Sequence, residues 1–147
     1  MDDNTTDTTT GNLLKASRHV SVWIEAAPEV VYEFASDPHG WRRWAAGLAE
    51  GGLRQSADGW VADSPMGAVT VEFAPHNEFG VLDHVVRLPS GEAVYNPLRV
   101  IPGGVREARC EVLFTVRRRA GMTGAEFDAD AAAVAADLDT LRRLLED

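Results

Sequence analysis

TGAEFDADAAAVAADLDTLRRLLE, residues 123–146, is the stretch whose reading decides the fold. Thr123 and Glu126 occupy the two positions of a capping box, in which a hydroxyl and a carboxylate each satisfy a free backbone amide. Met122 and Phe127 flank the box where a hydrophobic staple closes. Phe127, Ala131, Val134, Leu138, Leu141 and Leu145 then recur at steps of four and three, which makes one apolar stripe on a helix. From Gly124 to Glu146 that helix would run roughly 34 Å at a rise of 1.5 Å per residue, enough to cross a small sheet. A coiled-coil seam is the competing reading; the alanine-rich run 131–136 favours close packing on a sheet.

Upstream of the helix lies a series of turns. Asp58-Gly59 is the dipeptide a tight hairpin prefers; Pro65-Met66-Gly67, Pro89-Ser90-Gly91 and Pro102-Gly103-Gly104 mark further turns. The segments between them (69–73, 81–88, 92–101 and 107–117) read as strands, and with two more around Asp58-Gly59 they make a six-stranded antiparallel meander. At the front, Val20, Val22 and Ile24 alternate with Ser21, Trp23 and Glu25, the period of a strand with one buried face. Pro28 opens a helix whose apolar side is Val30, Val31, Phe34 and Ala35, and Asp37-Pro38 starts a second short helix through Trp41 and Trp44. The order is β-α-α-β6-α. A sheet with one apolar face must bury it, and the only large apolar partner is the last helix. The fold class is therefore α+β, with about seven strands curved around one long C-terminal helix. A bent sheet and a straight helix leave a gap, the natural place for a ligand.

The run VSVWIEAAPEVVYEF (20–34), followed by Ser36-Asp37-Pro38 and by Trp41 and Trp44, resembles the opening of the START-like (SRPBCC) superfamily, and within it the polyketide cyclase/dehydrase-like proteins. The resemblance covers about 18–146. It implies a helix-grip fold with a deep hydrophobic cavity, in a family that includes aromatic polyketide cyclases, lipid and hormone carriers, coenzyme Q-binding proteins and chaperone activators. The motif is structural and does not select among these activities.

The chain has 147 residues, 45% of them hydrophobic and 25% charged, which suits one domain with a sizeable core. Residues 1–15, opening MDDNTTDTTTGN, read as a disordered tail and 16–147 as the folded domain. No apolar run approaches the ~20 residues of a membrane span, and no signal peptide is visible, so the expected location is cytoplasmic with no membrane partner. A net charge of −9 argues against general nucleic-acid binding. The lone Cys110 excludes an internal disulfide and reads as a small core residue. Arg117, Arg118 and Arg119 read as a solvated rim. His19, His39, His76 and His84 lack metal-site spacing, and none of the common catalytic or nucleotide-binding signatures occurs. No metal and no cofactor is expected.

Turn geometry gives a register. A three-residue loop at 89–91 sets His84 opposite Asn96; a similar loop at 103–105 would set Asn96 opposite Val112. The face so defined carries Leu82, Val86, Leu88, Val94, Leu98, Val100, Cys110, Phe114 and Val116 beside them, and three strands agree on it. His84 and Asn96 alone interrupt it. They are either a satisfied core pair or the groups that orient a ligand's carbonyl or hydroxyl, with His84 as a candidate general acid or base. Asp83 points to the other face, so the two form no dyad. Trp41, Trp44, Trp60, Phe73, Val86, Leu98, Val112 and Phe114 are the candidate cavity walls. The two helix tryptophans serve either as a plug or as an aromatic gate. Tyr95 and Arg99 fall on the outer face as surface residues, and Trp23 there hints at a dimer contact, leaving monomer and homodimer both open. The expected partner is a small hydrophobic or aromatic molecule. Cyclase-like catalysis, a carrier or sensor role, and a chaperone-activator-like interaction module all remain open from sequence.

Overall fold

The computed structural model describes residues 16–45, 51–57, 59–64 and 67–146. The expected tail at 1–15, Asp58 of the first turn, and Pro65 and Met66 of the second lie outside them. β1 (Ser17–Ile24) leads to α1 (Pro28–Ala35) and a 3-10 helix (Pro38–Arg43). Seven strands follow: β2 (Arg54–Ser56), β3 (Gly59–Ser64), β4 (Gly67–Phe73), β5 (His84–Arg87), β6 (Ala93–Asn96), β7 (Leu98–Pro102) and β8 (Cys110–Arg117). α2 (Gly124–Glu146) closes the described chain.

Pro28 sits in the first turn of α1, where its missing amide hydrogen costs nothing. The buried side of α1 is Val31, Tyr32 and Ala35; Val30, expected on it, is 55% exposed. The second short helix is a 3-10 turn. Asp37 caps it by accepting from the His39 amide at 3.0 Å. In this tighter helix residues three apart eclipse, and Trp41 and Trp44 are both buried.

All strand pairs are antiparallel, in the orders β1-β8-β7 and β2-β3-β4-β5-β6. The segment expected as one strand over 92–101 is two, broken at Pro97, which has no N–H for a ladder. The pairing nevertheless continues through the break. His84 faces Asn96, Val81 bridges Arg99, the Leu82 amide donates to Leu98 O at 2.7 Å, and the Val100 amide donates to Gly80 O at 2.8 Å. One register therefore runs along this hairpin and joins the two sheets into a single curved surface.

The expected register between the last two strands is four residues off. Leu98 faces Phe114 and Val100 faces Val112, because the connection runs over residues 103–109 rather than three residues. Since the slip is even, every side chain keeps its face. Trp60 faces Val71 across β3 and β4.

The capping box of α2 is formed in full. The Thr123 amide donates to Glu126 Oε1 at 2.8 Å and the Glu126 amide donates to Thr123 Oγ1 at 3.1 Å. The stripe faces inward: Phe127, Ala131, Leu138 and Leu141 are buried, Val134 and Leu145 half-buried. α2 packs along β1 and β8. Its Leu138 and Leu141 share one buried cluster with Ile24, Leu98, Val100, Cys110 and Val112. Among the described residues no helix is long and apolar enough to cross a membrane.

Candidate functional site

Where α2 departs from the sheet, a cavity of about 260 Å³ lies between the helix and the inner face of β5, β6 and β8. Val86, Leu88, Val94, Phe114 and Val116 wall the sheet side, and Val134 and Leu138 wall the helix side. Trp41 and Trp44 close one end, beside His84 and Asn96. Arg117, Arg119, Asp130 and Asp137 stand at the other, where Arg117 and Asp130 are exposed. Lost hydration raises the Asp130 carboxyl above its ordinary range.

His84 is 2% exposed. Its Nδ1 lies 3.1 Å from Leu82 O. A carbonyl only accepts, so Nδ1 carries the proton and Nε2 keeps a lone pair. None of the described residues hydrogen-bonds Nε2. Rings surround the imidazole edge-on: Trp41 at 5.0 Å between centroids and Phe114 at 5.8 Å. Burial among them pushes its pKa down to about 4, so the ring is neutral at pH 7. Asn96, its cross-strand neighbour, bonds not to it but to Val94 O at 3.4 Å.

The two tryptophans differ in what they do with their indole N–H. Trp41 donates to Ala35 O at 2.9 Å and stacks edge-on against Phe73, which fixes the 3-10 helix to the sheet. Trp44 is 3% exposed, and its Nε1–H has no hydrogen-bond partner among the described residues. Leaving a buried donor unsatisfied costs about 1–3 kcal/mol.

Of the residues singled out in the sequence, Trp41, Trp44, Val86, Asn96, Phe114 and His84 border this cavity. Leu98 and Val112 are fully buried in the main core cluster and do not border it. Trp60 and Phe73 do not border it: Phe73 packs edge-on against Trp41, and Trp60 packs edge-on against His39. Cys110 is fully buried, and desolvation pushes its thiol up to about 11, as befits a core residue. The charged mouth was missed. Arg117 falls on the outer face by parity, and nothing in a helix pattern tells Asp130 and Asp137 from other polar positions.

Tyr95 and Arg99, expected as plain surface, are partners of a buried acid. Asp83 is 4% exposed. It accepts from Arg99 Nε at 2.9 Å and Nη2 at 2.8 Å, from Tyr95 Oη at 2.7 Å, and from the Leu98 amide at 2.9 Å. The Arg99 hydrogen bonds lead in holding its carboxyl down to about 2.

No protein-family model matches the chain, and no curated protein does at a significant level. Solved structures do. The protein XoxI from Bacillus cereus superposes with a TM-score of 0.70 at 12% identity, over 90% of this chain and 96% of that one. A START superfamily protein from Mycobacterium smegmatis gives 0.58 at 11% identity, over 88% and 97%. The di-domain ARO/CYC BexL from the BE-7585A biosynthetic pathway gives 0.58 at 15% identity, over 86% of this chain and 45% of that one. At such identities the likeness is one of fold. The chain has the START-like helix-grip fold, shared with polyketide cyclase-type proteins.

Proposed function

We propose that the protein binds a small, mostly apolar ring compound bearing a hydroxyl, and holds it through a hydrogen bond donated to His84 Nε2. The observation that carries this reading is the uncommitted acceptor of His84 in an apolar cavity that Trp41, Trp44 and Phe114 also line. A phenol or a hydroxy-ketone answers it, since its hydroxyl donates. The cavity holds on the order of ten water-sized volumes, which suits one or two fused rings. The likeness to BexL and the resemblance to polyketide cyclases support a ligand of this chemistry.

Binding without turnover is the form the site favours. A general base must stabilise the imidazolium it becomes. His84 is surrounded by rings, and the adjacent carboxylate of Asp83 is committed on the other face to Arg99, Tyr95 and Leu98. The ring is thus a fixed acceptor.

Calorimetric titration with 2-naphthol, 2-methoxynaphthalene and naphthalene tests the proposal. One hydrogen bond contributes about 0.5–1.5 kcal/mol net, so 2-naphthol should bind roughly tenfold tighter than naphthalene. His84→Phe should erase that preference while naphthalene affinity holds. Equal affinities for all three compounds in the unaltered protein would refute His84 Nε2 as a ligand contact.

A further inference from the structure

We propose that Asp83, on the face of the sheet away from the cavity, is the positioning residue for His84: it draws off the Leu98 amide and so leaves the Leu82 carbonyl to hold the imidazole Nδ1–H. The reasoning starts from the ladder. Two residues in a hydrogen-bonded antiparallel pair exchange two N–H···O bonds. Leu82 and Leu98 exchange one. The Leu82 amide donates to Leu98 O at 2.7 Å, but the Leu98 amide donates to Asp83 Oδ1 at 2.9 Å. The Leu82 carbonyl, relieved of its ladder partner, accepts from His84 Nδ1 at 3.1 Å instead.

The diversion is held in place. Arg99 grips both carboxylate oxygens of Asp83, and Tyr95 Oη donates to Oδ2, so the carboxylate cannot turn from the Leu98 amide without breaking charge-assisted bonds. An outer-face cluster therefore sets which nitrogen of an inner-face imidazole carries the proton. The chain reaches from Arg99 and Tyr95 through Asp83, Leu98 and Leu82 to His84, and its end is a lone pair presented to the cavity. The role assigned to Nε2 rests on the ligand reading above; the positioning itself does not.

The test uses the ligand-free protein, labelled with 15N and 13C. Long-range 1H–15N spectra report the tautomer of the His84 ring, and couplings across hydrogen bonds report who receives the Leu98 amide. The unaltered protein should show a single Nδ1–H tautomer, with the Leu98 nitrogen coupled to Asp83 Cγ. In Asp83→Ala the Leu98 coupling should move to the Leu82 carbonyl carbon, and Nε2–H should grow to a comparable share. Asp83→Asn, whose amide oxygen can take the same N–H, should restore the single tautomer. A carbonyl can accept two bonds, so the tautomer is the decisive readout; a role confined to clamping the sheet would not move it. An Asp83→Ala protein that keeps both its fold and the Nδ1–H tautomer overturns the proposal. So does an unaltered protein whose Leu98 amide couples to Leu82, a result that needs no variant to fold. Failure of the ligand reading looks different: 2-naphthol would ignore His84→Phe while every tautomer result stood.

Discussion

Burial pushes His84 down to about 4, so the folded chain keeps neutral a ring that the unfolded chain would protonate below about 6.5. The unfolded state then binds the extra proton, and stability falls as pH falls from about 6.5 to about 4. The full shift corresponds to roughly 3 kcal/mol, and most of it should be gone by about pH 4.5. Urea unfolding at pH 7.5 and pH 4.5 should show this loss, and His84→Gln should flatten it. Asp83 adds a separate, lower window. Its carboxyl is depressed, so its contribution is present above about 3.8 and lost as pH falls toward about 2. Cys110 gives a simpler check. Its thiol is buried and pushed up to about 11, so iodoacetamide at pH 8 should label it only after denaturant is added. What sequence reveals at this scale is parity: His84 and Asn96 fall on the inner face because side chains alternate. What it hides is partnership. Asp83 reads as one more outward acid until Arg99 and Tyr95 are seen to close over it.

The elements vary in legibility according to how locally they are determined. The start of α2 is written in four residues, Thr123 to Glu126, and the structure forms both reciprocal bonds. Thr123→Ala should cost about 1 kcal/mol in denaturant unfolding. Because the two residues serve one motif, the loss in Thr123→Ala with Glu126→Ala should be smaller than the sum of the two single losses. The hairpin at 89–91 is equally local, and its register follows from its length: the Leu88 amide donates to Glu92 O at 2.9 Å. The connection after β7 is not local. It holds a non-glycine residue with positive φ, Arg106, and Gly103 has room for no side chain, since a Cβ there would sit 2.9 Å from Arg109 Cγ. A reader of Pro102-Gly103-Gly104 sees a turn but cannot see that the chain takes until Cys110 to resume pairing. That is why the register there slipped by four, and why the even slip left the inner face intact.

For the whole molecule, the helix-grip arrangement sets one helix over core at one end and over a cavity at the other. Leu141 is fully buried and lies in the continuous core with Ile24, Leu98, Val100 and Val112, whereas Val134 faces the cavity across from Phe114 and Val94. The proposed function would have the same apolar stripe perform two tasks, with only its position over the sheet deciding which. Leu141→Ala should destabilise the protein by roughly 2–5 kcal/mol, since a new void opens in a close-packed interior. In calorimetry its affinity for 2-naphthol, measured well below the melting temperature, should stay within about twofold, an energy below 0.5 kcal/mol. Val134→Phe should do the reverse. The added ring enters space that already exists, so little overpacking follows and the melting temperature should hold or rise, while 2-naphthol binding should be lost. If both variants instead weaken binding and stability together, the end of α2 over the cavity and the end over the core are energetically one unit, and the cavity is a packing defect rather than a site.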